Sequence, residues 1–222
     1  MIVRNGYVFG WIVLTMNAAL GVVWAASETS KVMGSIEIAA GEHTGDVSTV
    51  NGSVQVGPNA VVGRAKTVNG SIELESHASA ADVVTVNGAI HLHEGVQVSG
   101  DVHTVNGRLN LENGVDVRGN LKNVNGRIRV AAAHVGGGIQ TVTGSIDLGP
   151  DARVDGGIHV EKDSGTHDSD NQPPRIVVGP GSVIGGTLNF ERPVKLYVSD
   201  RATIGPVEGA TAVKFSGDQA PE

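Results

Sequence analysis

Thr85-Val86-Asn87-Gly88 decides the fold, because close copies of it run along most of the chain. Thr49-Val50-Asn51-Gly52, Thr67-Val68-Asn69-Gly70 and Thr104-Val105-Asn106-Gly107 are identical to it. Asn123-Val124-Asn125-Gly126 and Thr141-Val142-Thr143-Gly144 each differ at one residue. The valines are 18, 18, 19, 19 and 18 residues apart. A fixed period of that length marks a solenoid, in which no single repeat can bury its apolar face alone.

Laid out from Val32, Val50, Val68, Val86, Val105, Val124, Val142 and Val160, the coils align. Four and six residues after the first seven starts come paired apolar residues, such as Ile72 and Leu74, Ile90 and Leu92, Leu109 and Leu111. An i, i+2 pair puts two branched side chains on one face of a strand. Further apolar positions recur at Val62, Val98, Val117 and Val154, and before the next start at Val47, Val83, Val102, Leu121, Ile139 and Ile158. No stretch sustains a 3.6-residue period. Each coil therefore reads as three short strands joined by bends: an all-β, single-stranded, three-sided parallel β-helix of 18–19 residues per coil. Nine such coils would make a rod roughly 45 Å long.

The repeated Asn-Gly predicts one corner of the triangle, formed by Asn51 and Gly52, Asn69 and Gly70, Asn87 and Gly88, Asn106 and Gly107, and Asn125 and Gly126. Glycine there suggests a bend with positive φ, and the asparagines would stack and hydrogen-bond along the axis. If the adjacent valines point inward, Thr49, Thr67, Thr85, Thr104, Asn123 and Thr141 form an outer rank, superficially like an ice-binding face. Hydroxyl ladders that stabilise the sheet are the plainer reading. The nineteenth residue of the longer coils falls around Ser99-Gly100-Asp101 and Arg118-Gly119-Asn120, where a longer bend absorbs it.

Residues 161–175 interrupt the pattern with a polar insertion that cannot bury itself, a projecting mobile loop. The register resumes at Ile176 and Val178. A last coil is expected to start at Phe190, with Val194 and Leu196 at the paired positions and Pro193 at an edge. Phe190, Tyr197 and Phe215 are expected to plug the C-terminal end, followed by a disordered tail at 216–222. The solenoid proper thus spans 27–215, and its two ends would expose unpaired strand edges.

At the other end, Arg4 precedes an apolar run from Gly6 to Ala26, broken only by Thr15 and Asn17, with small residues at a plausible cleavage point. Residues 1–26 read as a helical signal peptide or, uncleaved, as a membrane anchor. Either exports the remainder, to the periplasm, the envelope or the exterior of a bacterium. Membrane contact is expected only through residues 6–26. A net charge of −7 argues against nucleic-acid binding, which needs a basic patch. With no Cys there is neither a disulfide framework nor a thiolate metal site. Aromatics are 3% of the chain and absent from the repeats, so stacking platforms for sugars or bases are missing.

The coil pattern Val-Asn-Gly-Ser-Ile-x-Leu followed by Gly-x-x-Val-x-Gly-x-Val resembles the bactofilin-like, polymer-forming β-solenoids, and is similar to secreted adhesin-like solenoid domains of bacteria. The resemblance covers residues 32 to about 160 well and 176 to 205 loosely. It implies a right-handed helix of triangular section that assembles end to end and has no catalytic site. The export segment departs from the cytoplasmic bactofilins and points to an envelope or extracellular role.

Two places could carry chemistry. In the coil alignment Glu75, His93 and Glu112 form a column on the outer face about one strand spacing apart, with His91 beside it and Glu73 and Asn110 as neighbours. Such N and O donors suit Zn²⁺ or another divalent ion. An ordinary polar face with cross-strand charge pairing is the preferred reading, so no metal or cofactor is expected. His167, Asp168 and Asp170 in the insertion are the only residues to offer for a hexapeptide-type solenoid enzyme, and such a loop is more simply a solvated linker. No phosphate loop, nucleophile elbow or His-Glu-x-x-His motif is present. The expectation is a non-enzymatic, exported structural solenoid that self-associates end to end or face to face. The alternative is a monomeric adhesin or binding module that meets an envelope or surface partner through a solenoid face or the 161–175 loop.

Overall fold

The structure, a computed structural model, describes residues 28–162 and 172–221. The expected export segment, and residues 163–171 of the insertion, lie outside these.

Three parallel sheets run along the stack. The first has ten strands, from Thr29–Met33 to Val207–Glu208. The second also has ten, from Ile36–Ile38 to Ala212–Phe215, and the third has seven, from Ser79–Ala80 to Thr203–Ile204. The chain visits them in turn, and each strand pairs with its equivalents one coil before and after, as Ile90 does with Ile72 and Leu109. The result is the expected three-sided parallel β-solenoid of about nine turns, with no helix among the described residues.

The paired positions point inward as their alternation requires. Ile72, Leu74, Ile90, Leu92, Leu109 and Leu111 are fully buried, and Val62, Val98, Val117 and Val154 close the core along the third side. Each such side chain contributes about 1.5–3 kcal/mol relative to exposure. Ile176 and Val178 pair with Ile146 and Leu148, so the insertion leaves the register intact.

The first corner, between the first and second sheets, differs from expectation in two ways. The valines face outward, with Val32 71% and Val50 40% exposed, while Thr49, Thr67, Thr85, Thr104, Asn123 and Thr141 are buried. Alternation from Val47, Val83 and Val102 forces this, because a strand that buries Val83 must also bury Thr85. The hydroxyls are satisfied across coils: Thr67 Oγ1 donates to Gly52 O at 2.8 Å, and Thr85 Oγ1 to Gly70 O at 3.0 Å. Asn123 continues the column through Nδ2 to Gly107 O at 2.9 Å. A threonine ice-binding face is thereby ruled out. Val160 belongs to this inner column too, pairing with Thr141 instead of continuing the outer valines.

The second difference concerns glycine. Of the corner glycines 34, 52, 70, 88, 107, 126 and 144, only Gly34 and Gly126 have positive φ. The others are required by close approach: a Cβ on Gly70 would lie 2.0 Å from Gly52 O, and one on Gly88 2.0 Å from Gly70 O. The asparagine ladder forms as expected. Asn69 Nδ2 donates to Asn51 Oδ1 at 2.9 Å, Asn87 to Asn69 at 3.0 Å, Asn106 to Asn87 at 3.1 Å and Asn125 to Asn106 at 3.0 Å.

Left-handed backbone gathers instead at the second corner, between the second and third sheets. Gly41, Asn59, His77, Gly95, Gly114, Asp151 and Gly181 all have φ between 58° and 73°. These are the residue types that accept that region with least strain. The third corner is held by acceptors reaching to the next coil: Asp46 Oδ1 takes Arg64 N–H, Asp101 Oδ1 takes Asn120 N–H and Asn120 Oδ1 takes Gly138 N–H. Here, as expected, the longer coils take their extra residue. Ala80 and Val83 bracket the short bend, Val98 and Val102 the longer one.

The C-terminal end also differs. Leu196 and Val198, not Val194 and Leu196, pair with Ile176 and Val178, because Phe190 is aligned with Val160 and the connection around Pro193 lies outside the strands. Phe190 and Phe215 are buried, 3% and 7% exposed, but Tyr197 faces outward beneath the Arg175 guanidinium, 5.1 Å from the ring centre. The expected loose tail is tethered. Ser216 Oγ donates to Asp200, Arg201 bonds Asp218 at 2.7 Å, and Arg175 Nη2 donates to Pro221 O at 2.8 Å.

Candidate functional site on the second sheet

Strand Ile90–Leu92 buries Ile90 and Leu92, so His91 and His93 emerge on the outer face. Pairing puts Glu73 on one side of His91 and Asn110 on the other. Glu75 and Glu112 follow directly after buried Leu74 and Leu111, flanking His93. The expected neighbourhood is therefore assembled, but its contacts run diagonally.

His93 Nε2 lies 2.8 Å from Glu73 Oε1 and 4.0 Å from Glu75 Oε2, and its Nδ1 lies 3.4 Å from Glu112 Oε2. His91 Nε2 is 2.9 Å from Glu112 Oε1 and 2.8 Å from Asn110 Nδ2. The two imidazoles stack, with centroids 4.2 Å apart and planes 18° from parallel. The two imidazoles and three glutamates are 22–42% exposed, open enough for exchange with solvent.

Electrostatics here is dominated by carboxylates. Burial alone would depress the His93 pKa. It is outweighed by the Glu73 hydrogen bond and the charges of Glu112, Glu75 and Glu73, so the ring is held above its ordinary value. Burial likewise pushes the Glu112 carboxyl upward, yet the bond from His91 and the charges of both imidazoles hold it below the usual range. Glu73, expected only as a neighbour, proves to be a direct partner of His93. Row alignment of coils shows adjacency, whereas the diagonal reach of a glutamate does not show in it.

The third sheet carries a smaller cluster that the sequence reading missed. His134 Nδ1 lies 2.6 Å from Asp116 Oδ1, and its Nε2 lies 2.9 Å from Asp155 Oδ2. The Asp155 bond, then the Asp116 bond, hold its pKa above the ordinary value against burial. A raised folded-state pKa stabilises below the unfolded value and loses its contribution as pH rises through the folded one. His134→Gln is therefore expected to lower the melting temperature more at about pH 5.5 than at about pH 8.5, either side of the ordinary imidazole value. Melting curves of both proteins across that range check this; an equal difference at both ends would refute it.

His167, Asp168 and Asp170 lie outside the described residues. Comparison of the chain with protein families, with curated proteins and with solved structures finds no match in any of the three.

Proposed function

We propose that this chain is an exported, non-enzymatic structural β-solenoid that self-assembles in the bacterial cell envelope. Export rests on the apolar run from Gly6 to Ala26 behind Arg4. Self-assembly rests on one observation, the open edge of the first coil. Among the described residues strand Thr29–Met33 pairs only with Val47–Asn51, and its Val32 and Met33 are 71% and 79% exposed. An unpaired strand edge is a template for another strand, and natural proteins cover it or use it. At the far end Val207–Glu208 and Ala212–Phe215 are the outermost strands of the same two sheets. Stacking far end onto near end continues both sheets in parallel, and such a heterologous contact has no reason to close, so it propagates as a filament.

The test is negative-stain electron microscopy with light scattering on the chain lacking residues 1–26, over a concentration series. Filaments whose axial repeat matches the solenoid length are expected, and Val32→Lys with Met33→Lys should reduce them to single rods by charging the edge. Short rods at every concentration in the unaltered protein would overturn self-assembly and favour a monomeric binding module.

A further inference from the structure

We propose that the outer face of the second sheet binds one divalent transition-metal ion of the Zn²⁺ class through His91, His93 and Glu73, with Glu112 as an additional carboxylate donor. One donor atom from each of Glu73, His91 and His93 lies within 4.8 Å of the other two. Tetrahedral Zn²⁺, at 2.0–2.2 Å from N and O donors, needs its ligand atoms about 3.4 Å apart. Side-chain rotation alone supplies that difference. The strand backbone already presents both imidazoles on one face, anchored by buried Leu92 between them. Stacked rings cannot both aim an in-plane lone pair at one ion, so binding must splay His91 and His93 apart. Their partial exposure leaves room for this.

The charge balance favours a cation. Glu73, Glu75 and Glu112 converge on two imidazoles, and among the described residues no Lys or Arg forms an ion pair with any of the three. A polar face of ordinary charge pairing would place such residues opposite them, as Lys122 stands 3.0 Å from Asp101 on the first sheet's side of the molecule. Two imidazoles with a carboxylate match the donor preference of Zn²⁺ and leave a fourth position for Glu112 or water. Asn110, whose Nδ2 lies 2.8 Å from His91 Nε2 on the neighbouring strand, is the group that must turn away for that nitrogen to ligate.

Titration of the purified full chain with Zn²⁺ by calorimetry, and with Co²⁺ by visible absorption, tests the proposal. One equivalent per chain and the intense d–d bands of tetrahedral Co²⁺ are expected. His91→Ala with His93→Ala should weaken Zn²⁺ binding by on the order of 100-fold or more, as loss of two ligands exceeds the 10–100-fold cost of losing outer-shell partners. Glu73→Gln should weaken it less, and His134→Ala should leave it unchanged. Because the altered side chains face outward, the β-sheet circular dichroism should persist, which separates loss of ligands from loss of fold. Binding that survives in the His91/His93 double variant, or an unaltered chain that binds no tighter than that variant, would overturn the assignment.

Discussion

Ile90→Asp is expected to open the solenoid, lowering the melting temperature by about 10 °C or more or abolishing the cooperative transition. Ile90 has no exposed surface and stands between Ile72 and Leu109 in the second sheet's inner column. A carboxylate there has no cationic partner among the described residues, because the buried polar groups are hydroxyls and an amide, held by bonds across coils such as those of Thr67, Thr85 and Asn123. Either the charge stays buried unpaired or it takes up a proton at neutral pH, and both cost several kcal/mol. The lost isoleucine packing adds about 2–5 kcal/mol. Thermal melts followed by circular dichroism decide it. A native spectrum with an unchanged midpoint would mean that the inward register is wrong.

Gly88→Val is expected to be comparably damaging, for a reason that a second pair of variants isolates. A Cβ on Gly88 falls 2.0 Å from Gly70 O, and the carbonyl of Gly88 itself lies 1.8 Å from where a Cβ on Gly107 would be. Backbone carbonyls cannot swing aside, so two coils must part and the Asn87 and Thr85 bonds stretch with them. If positive φ were the requirement, asparagine would serve nearly as well as glycine. Since the requirement is space, Gly88→Asn should destabilise strongly. Gly114→Asn, at φ 71° and with the nearest contacts an ordinary 3.7 and 3.8 Å away, should be close to neutral. Chemical denaturation of the two asparagine variants side by side gives the answer. Equal midpoints would refute the close-approach account.

These variants mark where sequence reasoning succeeded and where it failed. The period, the three strands per coil and the inner column of Ile72, Ile90 and Leu109 were legible because alternation and repeat length are both written in residue type. Which of Thr85 and Val86 faces inward was not. Both are β-branched, and the acceptor that makes burial of Thr85 tolerable, Gly70 O, belongs to another coil. The Asn-Gly pairs drew attention as a turn signal. The left-handed corner meanwhile is built from Gly41, Asn59, His77, Gly95, Gly114, Asp151 and Gly181, whose differing side chains hide the repeat. Preceding prolines at 58, 150 and 180 were its one visible trace. On the outer face, the coil alignment placed His91 and His93 among glutamates correctly. The bond from His93 to Glu73 depends on side-chain reach and had no signature.

The extra residue taken up at the third corner, and the insertion that lengthens the step from Ile146 to its partner Ile176, leave strand pairing undisturbed. Nearly every contact therefore joins residues one coil apart in the chain, whatever the chain's total length. Closing so short a loop costs little entropy, and ordering one coil supplies a template for the next. Folding then has no obligatory nucleus and advances as a front. In hydrogen exchange the amides of Val102–Asn106, deep in the stack, would outlast those of Thr29–Met33, and a pulling force would release the rod turn by turn from its ends.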